Sequence, residues 1–497
     1  MTRAEEEITA GNHVPRVPIP VDALQKAVHR MTATARLADM FAAIGPDREP
    51  VLHMVWAVDH ENRYTMTETA IPGPEYPSLS DIDPAAFVEE CEIYEQFGLR
   101  PAGGKPLNRF SLPPHAGPDF PRLGHAPAEE AGPVRASLSV AGHAFEFPFG
   151  PVRAAGFESL YYGLVTSGEE VVDLYLFTWH KHRGIEYRLR GQDPRRALFL
   201  VERAEGFSAV AHGWAFAQAV EQALDITPSL AATRVRAAAL EMERLYNHAA
   251  AIVALCQSTG LSVGQAGAEI ALERLLRLNA AIFGHRYLFG VVDIGGVSRP
   301  VDLESLRTAL PAVCGELQRV TDGLNTTNSF LDRLESTGIV TSEQATRLGL
   351  VGPVARASGL SLDTRRDHPQ PPYDVHPVLP EIRAAGDAMA RYQVMLAEIN
   401  ASARLIGHLA EPGPNTPEPV DPPGRAGSGL GWAESSRGEA LAWVDLDEHG
   451  RITRARLRPA AVRDWRAFDD AVRSQNVFTD VPIIEASFWL TAAGRAR

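Results

Sequence analysis

Residues 180–248 concentrate histidine, arginine and glutamate side chains between apolar helical stripes. Glutamate and histidine can be tuned to titrate near neutral pH, so such a region could relay protons or hold a metal ion. His180, His182 and Glu186 imitate part of a metal site by their spacing, but no further ligand accompanies them. No cysteine occurs in this region, so it cannot offer thiolates to a soft metal. We therefore predict that this chain holds no metal ion.

The composition excludes several other classes of function. The only cysteines are Cys91, Cys256 and Cys314, which form no CxxC pair, so neither a disulfide framework nor a chain-borne iron–sulfur cluster is expected. A net charge of -14 argues against a nucleic-acid surface. The sequence has no signal-peptide pattern and no long uncharged apolar run, so we expect a chain in the reducing cytosol that does not itself cross a membrane.

Long helices are predicted to position the charged side chains. Thr227 and Pro228 are typical of a helix start, and Glu241, Arg244 and His248 then fall on one stripe of that helix. A second helix is expected over 266–283, ending at Gly284. Arginine and glutamate pairs buried among helices are commonly structural ion networks, whereas the same residues could also relay protons. The sequence leaves both interpretations open.

The chain divides into two predicted domains. We expect a flexible arm over 1–20, a small α+β domain over 21–112, a linker over 113–134 and a large domain over 135–497 with a surface loop over 411–428. The fold class is therefore α+β, with a small α+β N-terminal domain followed by a mainly α-helical bundle domain with peripheral antiparallel strands.

Three local patterns define the small domain. The apolar spacing of residues 22–44 predicts one amphipathic helix or a broken pair. Residues 51–71 predict two strands joined by a turn at 59–62. Asp83 and Pro84 predict the start of a helix that ends near Gly98.

Several motifs resemble known families. The small domain resembles the small hydrophilic subunit of NADH:quinone oxidoreductase (complex I), through Glu90, Glu92, Tyr94, Phe97 and Gly98. The large domain resembles the quinone-site subunit of complex I and the large subunit of membrane-bound, formate hydrogenlyase-type nickel-iron hydrogenases. The motifs that carry this second resemblance are, in order, SGEEVVDL, HRGIE, ERAEGFSAVAHGWAFAQAVE, RVRAAALEMERLYNH, FGHRYLFGVVDIGGV, ARASGLSLDTRRDHP and AESSRGEALAWV.

The resemblance implies where the metal ligands of the hydrogenases would lie. Their four cysteines correspond here to Glu205 and Ser208 in the first motif and to Thr491 and Gly494 in SFWLTAAGR. A carboxylate, two hydroxyls and a hydrogen atom cannot reproduce a thiolate cage, so no nickel-iron cofactor is expected. The quinone ligands of complex I are also replaced, because GPVRAAG has no histidine and Gly206 takes the position of a tyrosine.

Other positions keep the polar residues of the family pattern. They are predicted to line a cavity that corresponds to the redox site of the related families. The candidate cofactor-binding residues are His182, Arg203, Glu205, His212 and Arg356. No catalytic residue is assigned, and a quinone, held by Arg153, Glu205 or His182, is the ligand left open.

The resemblance implies a subunit of a membrane-associated redox complex, peripheral on the cytoplasmic face of the cell membrane. Its expected partners are an iron-sulfur subunit, which would carry the cluster, and antiporter-like membrane subunits. Electrons would pass from the iron-sulfur partner towards quinone or another acceptor. The alternative is a non-catalytic scaffold subunit of the same kind of complex, so the sequence does not decide whether the chain is an enzyme.

Overall fold

The computed structural model describes most of the chain. The described residues are 14–45, 47–107, 111–113, 116–117, 119–125, 144–153, 158–178, 180–410 and 422–497. Within them, an N-terminal α+β unit packs against a larger, mainly helical unit that carries small antiparallel sheets. The predicted fold class is confirmed. None of the described helices is both long and apolar enough to span a membrane.

The small domain is a four-stranded sheet covered by helices. Its sheet has the order β1-β4-β3-β2, in which β1 and β4 are parallel and the other pairs are antiparallel. Its elements are β1 (Arg16–Pro18), α1 (Leu24–Met31), β2 (Arg36–Ile44), β3 (Pro50–Val58), β4 (Arg63–Ala70), β5 (Glu75–Pro77), α2 (Phe87–Phe97) and β6 (Arg100–Ala102).

Two of the local predictions for this domain are confirmed. The β3–β4 hairpin turns at residues 59–62, where Asn62 adopts the left-handed conformation. The Asp83 carboxylate accepts a hydrogen bond from the Ala85 amide ahead of α2, and Gly98 ends that helix with φ 70°.

The prediction of helix over residues 22–44 is wrong in its second half, which is strand β2. One face of β2 packs into the small domain's core through Leu37 and Met40, and the other packs through Phe41 against Trp443 of the large domain. A strand that is buried on both faces is apolar without alternation, so periodicity alone cannot separate it from a helix.

The predicted arm and linker are shorter than expected within the described residues. Residues 16–18 form β1 and pair with β4, while residues 1–13 lie outside the described residues. At the other boundary, Leu123 is buried in the small domain's core, and Arg122 donates to the Glu95 carbonyl oxygen. An apolar side chain among prolines and glycines thus ties this segment to the domain. Most of the linker prediction, including residues 126–134, lies outside the described residues.

The large domain opens with a three-stranded sheet and continues as a helical bundle. Its elements are β7 (Phe145–Phe149), β8 (Tyr161–Ser167), β9 (Glu170–Phe177), α3 (Ile185–Leu189), α4 (Pro194–Val201), α5 (Ala209–Ala223), α6 (Leu230–Ser258), α7 (Ser262–Phe283), β10 (Val292–Asp293), β11 (Gly296–Val297), α8 (Leu303–Leu324), α9 (Asn328–Leu334), α10 (Ser342–Arg347), α11 (Gly352–Ala357), α12 (Thr364–Asp367), α13 (Ala388–Leu409), β12 (Gly427–Ser435), β13 (Gly438–Leu446), β14 (Ile452–Arg458), α14 (Asp464–Val472) and α15 (Val481–Phe488).

The long helices agree closely with the sequence patterns. Helix α7 ends at Gly284 as predicted. Helix α6 begins slightly later than predicted, because Ser229 is its N-cap and accepts a hydrogen bond from the Ala232 amide. Strand β12 begins at Gly427, so the predicted 411–428 loop ends in a strand, while residues 411–421 lie outside the described residues.

Strand β12 packs directly on α5 through glycines. A Cβ atom on Gly431 would lie 1.9 Å from the Ala215 carbonyl oxygen, and one on Gly429 would lie 2.2 Å from that of Ala219. Alternate glycines therefore bring the strand's backbone against the helix backbone.

Replacing Gly431 by alanine is expected to destabilise the protein by about 1–3 kcal/mol, because the strand must move off the helix. The change in unfolding free energy in urea measures this. Gly323→Ala is the matched control, because apart from its chain neighbours and the backbone of α8 itself no described atom lies within 4 Å of its Cβ position. Equal stability of the two variants would contradict the close packing.

Strand β14 joins the two domains through buried arginines. The Arg456 guanidinium donates to both Asp39 carboxylate oxygens, at 2.9 and 2.8 Å, and to Glu92 at 2.7 Å. The neighbouring Ala455 and Leu457 point to the other face of the strand, into the helical core. The small domain is therefore fixed to the bundle by desolvated charge pairs.

Further ion pairs extend this interface. Arg463 donates to Glu89 at 2.9 Å, and Arg36 pairs with Glu439 at 2.7 Å. The Tyr64 hydroxyl donates to the same Glu439 carboxylate at 2.8 Å. Complementary charges from both domains are thus buried together, which fixes the orientation of one domain on the other.

Candidate functional site

A cavity of about 800 Å³ lies in the large domain, beside the C-terminal turn of α6 and along α15. Its volume is in the range of small-molecule sites, which are typically apolar with a few placed polar groups. The apolar part of its wall consists of Phe149, Leu160, Phe207, Ala254, Tyr287, Phe289, Pro482, Ala486, Trp489 and Leu490. The cavity therefore suits a ligand that is largely apolar and flat enough to lie against aromatic rings.

Arg437 organises the polar end of this cavity. Its Nη1 lies 3.0 Å from the Ser208 Oγ and 3.6 Å from a carboxylate oxygen of Glu205. Its Nε donates to the Trp489 carbonyl oxygen at 2.6 Å. The Glu205 Oε2 is also 3.3 Å from the His212 Nε2. One arginine thus links the start of α5 to the segment that follows α15.

The segment after α15 closes the same end. The Glu158 carboxylate accepts hydrogen bonds from the Thr491 hydroxyl at 2.7 Å and from the Ala493 amide at 2.8 Å. A Cβ atom on Gly494 would lie 3.3 Å from the Glu205 Oε1. The two motifs that the sequence aligned with the hydrogenase ligands therefore meet in space, about 290 residues apart in the chain.

The side chains at these positions do not fit a nickel-iron pair. Glu205, Ser208 and Thr491 offer oxygen atoms, Gly494 offers no side chain, and soft metals are held by thiolates. The positive Arg437 guanidinium lies between Ser208 and Glu205, where it would repel a cation. Among the described residues, no group of three or more His, Cys, Asp or Glu side chains has the arrangement of a metal site.

The electrostatics of this end favour an ionised Glu205. Burial raises the pKa of Glu205, but Arg437 and the hydrogen bond with His212 outweigh burial and lower the pKa to about 2. The Glu205 Oε1 and the His212 Nδ1 are buried and have no hydrogen-bond partner among the described residues. A permanent negative charge therefore faces Arg437 at the closed end.

A second ion pair also lines the cavity. Arg153 donates to both carboxylate oxygens of Glu485, at 2.6 and 2.8 Å. Its guanidinium carbon lies 5.2 Å from the centre of the Phe149 ring and 4.9 Å from that of Tyr162. Because Glu485 neutralises Arg153, this wall carries no net charge and suits an uncharged ligand.

The structure brings two of the five predicted site residues together, Glu205 and His212, next to the lining residue Arg437, but neither of the two lines the cavity itself. Arg203 lies outside them, with its guanidinium carbon 3.6 Å from the Phe199 ring centre and 4.6 Å from that of the lining residue Phe289. His182 is half-buried beside the Phe120 ring, at 5.7 Å between ring centres, and does not line the cavity. Burial lowers the pKa of His182.

Arg356 belongs to a separate, fully buried ion network. It donates to Glu398 at 2.6 Å and to Glu434 at 3.0 Å, and Glu398 also contacts His248 at 2.8 Å. Arg244 lies 3.6 Å from the same Glu398 carboxylate. The arginine and glutamate stripe predicted on α6 is therefore part of a network in which opposite charges face each other.

Glu241 is the other centre of that network. Its carboxylate accepts hydrogen bonds from Arg365 at 3.1 Å, from the Tyr373 hydroxyl at 2.8 Å and from the Ser402 hydroxyl at 2.5 Å. Burial raises the pKa of Glu241, but Arg365 and Arg244 outweigh burial and lower the pKa to about 2.

This shift predicts acid lability. The pKa of Glu241 is lower in the folded chain than its ordinary value of 4.5. Ionised Glu241 therefore contributes fully to the free energy of unfolding above pH 4.5, and this contribution is lost as the pH falls towards 2. We expect the free energy of unfolding to fall by about 3 kcal/mol over that interval because of this group. Urea unfolding at a series of pH values measures it. Glu241→Gln should reduce the loss of unfolding free energy at acid pH, whereas Glu273→Gln, at an exposed ion pair that solvent screens, should change it much less.

Sequence reasoning did not identify the aromatic walls or the two acidic partners. Tyr287 and Phe289 lie in FGHRYLFG and Trp489 in SFWLTAAGR, motifs that were notable only for the family pattern. Glu158 and Glu485 carry no sequence signal, because their roles depend on contacts with distant segments. In the sequence, the only indication of the aromatic walls was the clustering of aromatic residues next to the replaced cysteine positions.

Three family models match successive parts of the chain. The model of the respiratory-chain NADH dehydrogenase 30 Kd subunit matches residues 17–132, that of the nickel-dependent hydrogenase matches 183–256, and that of the respiratory-chain NADH dehydrogenase 49 Kd subunit matches 270–423. The order of the two complex I models is that of the two domains. The small N-terminal domain is thus fused ahead of a 49 Kd-like domain.

Individual relatives agree with these matches. Formate hydrogenlyase subunit 5 of Escherichia coli is 28% identical over 443 residues, which is 83% of this chain and 75% of the relative. The D 2 subunit of the NADH-quinone oxidoreductase of Salinispora arenicola is 30% identical over 300 residues, which is 56% of this chain and 78% of the relative.

A solved structure has the same fold. A chain of the membrane-bound sulfane sulfur reductase, an archaeal respiratory membrane complex, superposes with a TM-score of 0.67 at 22% identity, over 71% of this chain and 99% of that chain. Together with the geometry above, the matches show that this chain belongs to the family of the complex I 49 Kd subunit and the membrane-bound hydrogenase large subunit, with a complex I 30 Kd-like domain fused at its N-terminal side.

Proposed function

We propose that this chain is the acceptor-binding subunit of a membrane-associated redox complex and that its cavity binds a quinone-type acceptor without a nickel-iron centre. The relatives are subunits of membrane-bound hydrogenase and complex I-like assemblies, which supports the coarse assignment. The finer assignment rests on the chemistry of the cavity wall.

One observation carries the proposal: the cavity persists at the place where the two former ligand motifs meet, although its donors no longer suit a metal. Arg437 lies between Ser208 and Glu205, while Phe207 and Trp489 provide an aromatic wall with their ring centres 5.6 Å apart. A flat, uncharged, weakly polar molecule matches that wall, and the Arg437 guanidinium is a hydrogen-bond donor at the cavity's polar end.

The electrons must come from another protein. The chain's three cysteines cannot hold a cluster, so an iron-sulfur subunit docked on this domain would supply them. Membrane subunits of the antiporter-like kind would anchor the complex, and this chain would be peripheral to the membrane. The reaction would be the two-electron, two-proton reduction of the quinone to the quinol.

Metal analysis and ligand titration test the proposal together. The purified chain should contain far less than one nickel per chain, and a soluble quinone analogue should quench tryptophan fluorescence with saturation. The variant Trp489→Phe should lose most of that quenching, because Trp489 lines the cavity. One nickel per chain, or quenching that never saturates, would overturn the proposal.

A non-catalytic scaffold is the second candidate. The replacement of the four cysteine positions by Glu205, Ser208, Thr491 and Gly494 favours it. The buried charge pairs between the domains, such as Arg456 with Asp39, are compatible with both candidates, because they stabilise an arm whether or not it transfers electrons. The two candidates differ in one measurement. This measurement is the rate of quinone reduction by the purified complex when the cavity is blocked. The rate stays unchanged if the chain is a scaffold, and it falls if the chain is the acceptor-binding subunit.

A further inference from the structure

Trp489 has an unusual backbone conformation at the wall of the cavity. It ends α15 with φ 53° and ψ 46°, in the left-handed region that bulky side chains rarely adopt. Such a conformation costs free energy, so it persists only where surrounding contacts fix it. Residues held in this way cluster at ligand sites, and Trp489 lines the cavity. The contacts that hold Trp489 therefore bear on what the cavity binds.

Asn247 of α6 makes the hydrogen bond that holds the indole ring. The Trp489 Nε1 donates to the Asn247 Oδ1 at 2.9 Å. The Asn247 Nδ2 in turn donates to the carbonyl oxygens of Phe207 at 2.7 Å and Glu243 at 2.8 Å. An indole N–H can only donate and a carbonyl oxygen can only accept, so a single orientation of the amide satisfies all three bonds. Asn247 is fully buried, so water does not compete for them.

Asn247 thereby joins two lining residues that are far apart in the chain. Phe207 lies ahead of α5 and Trp489 follows α15, and their ring centres are 5.6 Å apart at an interplanar angle of 70°. The Tyr246 hydroxyl also donates to the Phe207 carbonyl oxygen, at 3.1 Å. The Arg437 Nε donates to the Trp489 carbonyl oxygen at 2.6 Å. These two bonds hold main-chain atoms, whereas Asn247 binds the one polar atom of the indole ring.

Asn476 provides a matched comparison, because it is also a buried asparagine with both amide atoms bonded. Its Nδ2 donates to the carbonyl oxygens of Ala471 at 2.7 Å and Ser474 at 2.8 Å, and its Oδ1 accepts from the Gly338 amide at 2.9 Å. These partners are main-chain groups, and none of the residues lines the cavity. Asn247 differs because one of its partners is the ring of a lining residue.

We propose that Asn247 is a positioning residue that fixes the Trp489 ring as a flat face of the cavity, and that this face makes the site prefer two-ring over one-ring quinones. The inference deepens the proposed quinone binding and rests on it. A ring that is already fixed offers its face to a ligand without losing rotational freedom on binding. A two-ring quinone covers more of that face than a one-ring quinone, so it gains more from a fixed ring. Asn247 does not itself line the cavity and acts through Trp489.

Titration of the full chain with two soluble analogues, a naphthoquinone and a benzoquinone, tests this preference. Asn247→Leu keeps a similar side-chain shape and removes all three hydrogen bonds. It should weaken binding of the naphthoquinone by about tenfold and binding of the benzoquinone by about threefold or less. Asn476→Leu also removes buried hydrogen bonds, but it should leave both affinities unchanged. A purely structural role for Asn247 would not change the ratio of the two affinities.

Fluorine NMR of the full chain labelled with 5-fluorotryptophan tests the fixed ring without a variant at Asn247. The chain has seven tryptophans, and the Trp489 line is the one that Trp489→Phe removes. Without ligand this line should be single and no broader than most of the others, and the naphthoquinone should shift it. A Trp489 line that is split, or broader than all the others, would overturn the proposal even if Asn247→Leu does not fold.

The titrations separate failure of this inference from failure of the proposed function. If both analogues bind with saturation and Asn247→Leu weakens them equally or not at all, the inference is wrong and the proposed function stands. If neither analogue binds with saturation to the unmodified chain, the proposed function fails and the inference fails with it.

Discussion

Replacing Arg456 by alanine should destabilise the protein by about 3–5 kcal/mol, a larger effect than we expect from other single substitutions at the domain interface. Arg456 is 2% exposed, and its guanidinium lies between Asp39 and Glu92 of the small domain. Its removal leaves Asp39 as a buried carboxylate without a cation. Glu92 retains Arg497 at 2.8 Å, so the loss falls mainly on Asp39.

Urea unfolding of the full chain measures this effect. The exposed pair of Arg277 and Glu273 provides the control, and Arg277→Ala should cost less than about 1 kcal/mol. The double variant Asp39→Asn/Arg456→Met should recover part of the loss, because it removes both charges and keeps the packing. A cost for Arg456→Ala no larger than that of Arg277→Ala would show that the domains are not held by this network.

Replacing Ala254 by tryptophan should block quinone binding. Ala254 lies on α6 and lines the cavity, so a tryptophan there would cover about 150–250 Å² of surface that the ligand would otherwise contact. At about 25 cal/mol per Å², this corresponds to roughly 4–6 kcal/mol as an upper limit. Because the side chain can partly turn aside, we expect affinity to fall by about tenfold to a thousandfold.

The measurement is the equilibrium titration of the variant with the same soluble quinone analogue. Ala231→Trp is the control, because Ala231 is half-buried on the same helix and does not line the cavity. Both variants should unfold at similar urea concentrations. Equal affinity of Ala254→Trp and the unmodified chain would mean that the analogue binds elsewhere.

Much of the fold follows from local sequence signals. The β3–β4 hairpin was predictable because a polar turn at residues 59–62 separates two apolar runs, and α7 was predictable because helical periodicity ends at Gly284. Strand β2 was not predictable, because it is buried on both faces and lacks alternation. Local patterns therefore define elements whose exposed face is polar, and they fail where a second domain covers that face.

The site was predictable only in part. The resemblance gave the polar end through Glu205, Ser208, Thr491 and Gly494, and the structure brings the two motifs together. The partners of the charged residues were not predictable, because pairs such as Asp39 and Arg456 are 417 residues apart. No local pattern encodes such a contact.

The aromatic walls were missed for a related reason. Phe207, Tyr287 and Trp489 come from three separate segments, and each one alone resembles an ordinary core residue. Only their convergence on one cavity distinguishes them from the rest of the core.

Photolabelling with an azido-quinone most directly tests the claim that this cavity binds the acceptor. Illumination of the purified complex, followed by peptide mass spectrometry, should place the label on residues 482–493 or on the segment around Phe207, and an excess of unlabelled quinone should abolish it. Label that falls outside the cavity wall, or that excess quinone does not reduce, would contradict the assignment of this cavity as the acceptor site.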